Sequence, residues 1–155
     1  MENVVKVKKL FKDAIIPEMA TGGAAGADLR ACLYDEEAKE KVSKVVIQPG
    51  GSAKIHTGLA FEIPEGAVML LMPRSSMGIK KNLVLMNTVG VLDSDYRGEC
   101  LIFVKNVGNE PVEILNEERL VQALIIPYGK VSYEEVEELS TTERNKGGFG
   151  STGRV

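Results

Sequence analysis

The chain has 155 residues, of which 44% are hydrophobic and 26% charged, and its formal net charge is −3. This length suits one domain with a sizeable core, and the slightly acidic charge makes duplex nucleic acid an unsuitable partner. The sequence contains one histidine and two cysteines without a CxxC pair, which excludes zinc fingers, HExxH sites and multi-histidine metal cages.

The sequence also indicates the compartment. No segment has the roughly eighteen apolar residues of a membrane span, and Met1–Lys9 lacks the apolar run of a signal peptide. Cys32 and Cys100 lie in apolar surroundings, which is typical of free buried thiols in a reducing compartment. We therefore expect a cytoplasmic protein that does not bind membranes.

Short apolar runs separated by Gly- and Pro-containing turns predict an all-β fold, a sandwich or barrel of short strands. The predicted strands are Val4–Val7, Ala27–Leu33, Val45–Ile47, Ala53–Ile63, Ala67–Met72, Leu83–Met86, Cys100–Val104, Val112–Leu115, Leu120–Ile126 and Val131–Val136. One short helix is expected around Ser75–Asn82, and Asp35–Val42 is compatible with a helix or a charged loop. His56 lies in an alternating run, where we expect its side chain to face solvent.

Residues 1–136 are predicted to form the β core of a single domain, and residues 137–155 a linker and a flexible, glycine-rich C-terminal arm. Ordering glycines costs backbone entropy, which a bound phosphate would offset. Backbone N–H groups of Gly-rich turns form anion-binding nests, and the hydroxyls of Ser151 and Thr152 add donors. The guanidinium of Arg144 can bind a phosphate through two hydrogen bonds, and a base can stack on the ring of Phe149. The alternative is a plain soluble tail. The arm contains GxGxxG without the strand–turn–helix context of a dinucleotide site.

A second constellation spans Asn87–Glu99, where glycines are predicted to bracket a hairpin. Strand alternation places Asp93 on the same face as Val91, and we expect its carboxylate to point inward. An inward carboxylate needs a partner, a metal or a reacting water. A structural turn is the alternative, since Asp95 is a common turn residue.

Three shorter segments carry polar residues at strand or helix ends. Arg74, Ser75 and Ser76 lie where the predicted helix begins, and they could cradle a phosphate or simply cap the helix. Asp28 enters a strand after a glycine, and Gln122 interrupts an apolar strand close to Arg119. Buried polar groups need partners, so both a structural network and ligand contact remain open here.

In chain order, these five segments resemble the five motifs of the trimeric deoxyuridine triphosphatases (dUTPases), from Gly26 to Gly153. The resemblance implies a jelly-roll fold and a homotrimer whose three active sites lie between subunits, each covered by the arm of one chain. It also implies Mg²⁺-assisted hydrolysis of dUTP to dUMP and pyrophosphate, which keeps uracil out of DNA and supplies dUMP for thymidylate synthesis.

The resemblance also implies residue roles. Asp93 would deprotonate the water that attacks the α-phosphorus, and Asp28 would hold Mg²⁺, through water, beside the triphosphate. The remaining substrate contacts would be Arg74, Ser75, Ser76 and Gln122 for phosphate, Asn87, Gly90, Val91 and Leu92 for uracil, Tyr96 and Leu101 around deoxyribose, and Arg144, Phe149, Gly150, Ser151 and Thr152 in the arm.

Two positions depart from the motifs of the family. Glu117 stands where the fourth motif has glycine, and we expect Asn116 to provide the turn. Asn145 replaces a glycine after Arg144, and Asn tolerates positive φ better than most residues.

Three other functions remain to be weighed. One is that of the related dCTP deaminases, although Phe103 stands where they have a glutamate base. The other two are a nucleotide sensor that acts through a partner, and a purely structural β-sandwich.

Overall fold

The computed structural model describes residues 4–37 and 39–147. Their secondary structure is mostly strand, with one short helix. The elements are β1 (Lys6–Lys9), β2 (Glu18–Met19), β3 (Ala27–Arg30), β4 (Tyr34–Asp35), β5 (Glu40–Lys41), β6 (Lys44–Ile47), β7 (Ser52–Glu62), β8 (Ala67–Pro73), α1 (Ser75–Lys81), β9 (Leu83–Leu85), β10 (Gly90–Leu92), β11 (Glu99–Asn106), β12 (Val112–Leu115) and β13 (Arg119–Pro127).

Two antiparallel sheets form the body of the fold. One has the strand order β1-β7-β11-β9 and the other the order β10-β8-β13-β3-β2, while β6 pairs with β12 and β4 with β5. One hydrophobic cluster joins the inner faces of the two larger sheets and includes Ile55, Val104, Leu71 and Val121. This arrangement confirms the predicted all-β, jelly-roll-like sandwich. No helix in the described ranges has the length and apolarity needed to cross a bilayer.

Several expectations about elements need correction. Asp35–Val42 contains neither a helix nor a simple loop, because β4 and β5 pair there. No strand forms at Val131–Val136, where the chain is extended and exposed. The predicted hairpin around Asp93 is also absent: β10 pairs with β8 in one sheet, whereas β11 pairs with β7 and β9 in the other. The turn between them therefore crosses from one sheet to the other.

The prediction that His56 faces solvent is wrong. Its residue surface is only 7% exposed, although it lies on the face of β7 that points away from the core. The ring of Phe11 packs 5.6 Å from the imidazole, and Glu36 of the β4–β5 segment lies against it. Alternation along β7 gives the correct face but does not reveal that distant segments cover it.

Both cysteines are free and buried, as the sequence predicts. Burial raises the pKa of the Cys100 thiol to about 12, and the neighbouring Glu99 carboxylate acts in the same direction. The pKa of the Cys32 thiol is also raised, chiefly by burial. Both thiols therefore remain protonated and poorly nucleophilic at neutral pH.

The pKa of Cys100 predicts how stability changes in mild alkali. Because the folded-state pKa exceeds the unfolded value of 9.0, the stabilisation is complete below pH 9 and is lost as pH rises toward 12. Relative to a Cys100→Ala variant, the wild type should lose about 1.4 kcal/mol between pH 8 and pH 10. Urea unfolding of both proteins, at one protein concentration, measures this difference, and parallel pH profiles would contradict the assignment.

Candidate active site

One cavity of about 250 Å³ lies where β10, the crossing turn and β11 meet. It is smaller than pockets for drug-sized ligands, about 300–1,000 Å³, and therefore suits a small flat group such as one pyrimidine ring. The predicted uracil, deoxyribose and catalytic residues that line it are Asn87, Gly90, Val91, Leu92, Asp93, Tyr96 and Leu101.

The backbone of β10 forms one wall of this cavity. β10 is the edge strand of its sheet, so one side of its backbone pairs with β8 and the other faces away from the sheet. An edge strand presents N–H and C=O groups that can pair with another molecule. A Cβ atom on Gly90 would lie 3.0 Å from Cβ of Leu71, so only glycine brings this edge so close to β8.

Asp93 follows β10 at the mouth of the cavity. Asp93 and Val91 lie on the same face, as strand alternation predicts, but both side chains are exposed. The expectation that Asp93 points inward is therefore wrong for the single chain, because the outer face of β10 has no covering layer. An exposed carboxylate at a cavity mouth can accept a proton from a bound water.

A second polar cluster lies at the opposite end of the same sheet. Asp28 is 6% exposed, and its Oδ1 lies 3.2 Å from Nε of Arg74. Nη1 of Arg119 donates to its Oδ2 at 3.3 Å. The Arg74 contact is an ion pair without hydrogen-bond geometry, so Oδ1 is buried and has no hydrogen-bond partner among the described residues. Two guanidiniums against one carboxylate leave this cluster positive.

The remaining predicted phosphate residues lie beside this cluster. Gln122 of β13 stands directly opposite Asp28 of β3, so their side chains share one face of the sheet. Arg74 is the N-cap residue of α1, and no side chain caps this helix. Ser75 and Ser76 therefore do not act as the N-cap, and they form the first turn, where N–H groups lack partners within the helix.

Within one chain, the cavity and the phosphate cluster are far apart. Leu92 pairs with Met69 of β8, so Asp93 follows opposite Val68, whereas Arg74 comes directly after the last residue of β8. Arg74 lies six residue steps beyond Val68 along the extended strand, a distance of about 20 Å. A single chain therefore does not bring Asp93 and Arg74 into one site.

The start of the arm has a local fold of its own. Nε of Arg144 donates to the backbone oxygen of Gly147 at 2.9 Å, and Asn145 and Thr142 exchange side-chain to backbone hydrogen bonds. Asn145 has a φ of +42°, in agreement with the expectation that Asn accommodates this position. The other predicted arm contacts, Phe149, Gly150, Ser151 and Thr152, lie outside the described residues.

The turn before β13 differs from the sequence expectation. Glu117 itself, not Asn116, has a positive φ, of +66°. Its N–H donates to the backbone oxygen of Ala31, and Nη1 of Arg30 donates to its carbonyl oxygen. Asn116 supports the turn through its side chain, which accepts the N–H of Leu33. Surrounding hydrogen bonds thus hold Glu117 in a conformation that glycine adopts more readily.

Sequence reasoning missed three residues that the structure places at these sites. For Arg119 the sequence left a structural network and ligand contact open without naming a partner, and the structure shows that it is the second partner of Asp28. Glu99 and Phe103 line the cavity but were not assigned to it. A carboxylate at the first position of β11, directly before the apolar run Cys100–Val104, is the signal that could have identified Glu99.

Comparisons with known proteins agree with this geometry. The sequence matches the dUTPase family over residues 12–153. It is 45% identical over 150 residues to the deoxyuridine 5'-triphosphate nucleotidohydrolase of Nautilia profundicola, covering 97% of this chain and 99% of that protein. It is 46% identical over 152 residues to the enzyme of the same name from Bdellovibrio bacteriovorus, covering 97% of each protein.

Solved structures show the same relationship. The dUTPase of Staphylococcus bacteriophage 80alpha with dUpNHpp superimposes with a TM-score of 0.82 at 32% sequence identity, covering 97% of this chain and 99% of that chain. The G164S mutant of that enzyme, also with dUpNHpp, gives a TM-score of 0.83 with the same coverage. By sequence and by structure, the chain belongs to the dUTPase family.

Proposed function

We propose that this protein is a dUTP diphosphatase, which hydrolyses dUTP to dUMP and pyrophosphate. The observation that carries the proposal is the small cavity that has the backbone edge of β10 as one wall and the exposed carboxylate of Asp93 at its mouth. Relatives named for this activity cover almost the whole chain. The reaction keeps uracil out of DNA and supplies dUMP for thymidylate synthesis.

The cavity is suited to a uracil base. The outward edge of β10, Gly90–Leu92, offers backbone donors and acceptors that can imitate a pairing base, and Asn87 adds an amide. With uracil bound, close packing around the ring would reject the 5-methyl group of thymine. Tyr96 would pack against the deoxyribose and exclude a 2′-hydroxyl, and Leu101 would complete the same wall.

The positive cluster is suited to the triphosphate. Arg74 and Arg119 provide guanidiniums, Gln122 an amide, and Ser75 and Ser76 the unpaired N–H groups and hydroxyls of a helix start. Guanidiniums and N–H groups at a helix start are common phosphate ligands. These groups would bind the phosphates and orient the α-phosphorus.

The residues of this cluster fit the magnesium ion that the family implies. In the described residues, no three His, Cys, Asp or Glu side chains form a metal cage. However, Mg²⁺ usually keeps several waters and binds one or two carboxylates together with substrate phosphates. Oδ1 of Asp28, which lacks a hydrogen-bond donor, can accept a bond from a metal-bound water. When bound, Mg²⁺ neutralises charge on the phosphates.

Two chains are needed to build one site. Asp93 also borders a broad cleft whose lining includes both acidic residues, such as Glu62 and Asp95, and the cations Arg97 and Lys130, but not Arg74 or Arg119. The positive cluster lies about 20 Å away along β8. We therefore propose a homotrimer in which Asp93 of one chain faces Arg74 of its neighbour, while Arg144 and Phe149 of an arm cover the γ-phosphate and the base.

In the assembled site, the residues of the chain perform one proton transfer and one displacement. Asp93 orients a water and accepts its proton as the water oxygen bonds to the α-phosphorus. The bond from the α-phosphorus to the bridging oxygen breaks in line, and pyrophosphate leaves with the bonding electrons. General-base assistance of this kind is worth about 10²–10⁴-fold. The two free cysteines support a reducing, cytoplasmic location for this reaction.

A nucleotide panel tests the function. The protein with Mg²⁺ should release pyrophosphate from dUTP, but not at a comparable rate from dTTP, UTP or dCTP, because the cavity rejects the methyl, the 2′-hydroxyl and the amino group. A chelator should abolish turnover. Ammonia release from dCTP would instead indicate a deaminase, and binding of dUTP without turnover would indicate a sensor.

The role of Asp93 can be separated from substrate binding. Asp93→Asn should lower kcat by about 10²–10⁴-fold, because an amide cannot accept the proton of the water. Its affinity for a non-hydrolysable dUTP analogue should change by less than about threefold. Asp95→Asn, two residues away in the same turn, is the matched control and should retain most activity. Wild-type kcat in Asp93→Asn would exclude Asp93 as the base.

Mixing two inactive variants tests the shared site. Asp93→Asn chains and Arg74→Ala chains, unfolded together and refolded, should form mixed trimers in which some sites combine an intact Asp93 with an intact Arg74. Random assembly of a trimer predicts recovery of about a quarter of wild-type activity. Each variant refolded alone is the control, and a mixture as inactive as its parents would show that one chain supplies both residues.

A further inference from the structure

The sole histidine belongs to a buried network behind the cavity. Nδ1 of His56 lies 2.9 Å from Oε2 of Glu99, and its Nε2 lies 3.3 Å from Oε1 of Glu36. Glu36 in turn accepts a hydrogen bond from Lys54 at 2.7 Å, and this bond lowers the pKa of the Glu36 carboxyl. The imidazole thus stands between an exposed carboxylate and one that lines the cavity.

Glu99 is held firmly from the side of β7. Its side chain is 16% exposed, and its Oε1 accepts the N–H of Gly58 at 2.8 Å. Glu99 pairs with Ala60 and Leu101 with His56, so two steps along β11 correspond to four steps along β7. The extra residues form a bulge at Gly58, where φ is +67°. The carboxylate of Glu99 therefore fastens β11 to this bulge.

The backbone of the same residue holds Tyr96. The hydroxyl of Tyr96 donates to the carbonyl oxygen of Glu99 at 3.1 Å. A Cβ atom on Gly98 would lie 2.3 Å from the Tyr96 oxygen, so the ring folds back over the turn only because residue 98 is glycine. The position of the Tyr96 ring is therefore set by a carbonyl whose own residue is pinned to β7.

We propose that Glu99, together with His56, is a positioning residue that sets the Tyr96 ring and thereby the discrimination between deoxyribo- and ribonucleotides. This inference rests on the proposed function, in which Tyr96 packs against the sugar. A ring fixed in place leaves too little space for a 2′-hydroxyl, whereas a ring free to shift by a fraction of an ångström can admit it. Both carboxylate oxygens of Glu99 have partners, so Glu99 acts as an anchor and does not serve as a base.

The alternative is that the network only stabilises the fold. A buried carboxylate needs such partners in any case, since losing one of them costs stability. A loss of stability lowers the active fraction equally for every substrate, so it cancels in a ratio of kcat/KM values. A shift of the Tyr96 ring changes that ratio.

The experiment measures kcat/KM for dUTP and for UTP at one pH. Glu99→Ala and Tyr96→Phe should each lower the dUTP-to-UTP ratio by about tenfold, the scale of one lost hydrogen bond. The double variant should lose no more than the larger single loss, because both changes release the same ring. Glu99→Gln should keep the wild-type ratio within about twofold, since its amide can still accept the Gly58 N–H and donate to a neutral imidazole.

Glu118→Ala is the matched control. The Glu118 carboxylate also accepts a backbone N–H, that of Leu115, and it forms an ion pair with Lys81. It does not line the cavity. Removing the Glu118 side chain should leave the dUTP-to-UTP ratio of kcat/KM unchanged even if the stability of the protein falls.

An unchanged ratio in Tyr96→Phe and Glu99→Ala would overturn the inference, as would an additive double variant. If Glu99→Ala fails to fold, Glu99→Asp takes its place, because the shorter side chain cannot reach the Gly58 N–H and His56 together, and an unchanged ratio in that variant would also overturn the inference. These results are distinguishable from failure of the proposed function, in which the wild type itself would not hydrolyse dUTP.

Discussion

The rest of the molecule depends on the position of β8, an inner strand of its sheet that separates the two candidate sites. β10 pairs with one edge of this strand and β13 with the other. The antiparallel register carries Asp93 toward the beginning of β8, while α1 and Arg74 follow its end. The strand thus acts as a spacer between a cavity suited to a base and a cluster suited to phosphates. In the proposed function, a site that uses both would draw them from different copies of the chain.

The cluster around Asp28 shows how the fold maintains a charged group at the end of this spacer. A carboxylate that is 6% exposed would be costly without compensation, and two guanidiniums offset that cost. The compensation is incomplete, because Oδ1 receives no hydrogen bond. Such an atom is costly in the free protein but useful when a ligand supplies the missing donor. The same two arginines leave the surface positive where the proposed triphosphate would bind.

Local sequence patterns predicted the elements that depend on local physics. Alternating apolar residues gave β7, β8, β11 and β13 to within two residues at most ends, and the polar start of α1 was recognised. Features that depend on distant segments were not predictable. The burial of His56 requires Phe11 and the β4–β5 segment to pack over it, and the three-residue strand β10 is too short to show a pattern.

In the candidate site, too, local sequence patterns were informative, whereas contacts between distant segments were not predictable. The structure gathers the predicted residues of the first four segments into two groups, but the pairing of Arg119 with Asp28 and of Glu99 with His56 became visible only through contacts between strands far apart in sequence. The positive φ of Glu117 was assigned to its neighbour, because the side chain of Asn116 gave the stronger turn signal. Hydrogen bonds from the surrounding strands determine which residue of the turn adopts the unfavourable positive φ.

The edge position of β10 has a consequence for how this protein tolerates sequence drift. In the proposed function, the groups offered to a base belong to the main chain, and the Val91 side chain is 59% exposed. Substitutions there can accumulate without erasing the pattern of donors and acceptors, since every residue except proline carries the same pair. Base recognition by the peptide backbone would therefore be buffered against mutation, with Gly90, which Leu71 crowds, the position least tolerant of a side chain.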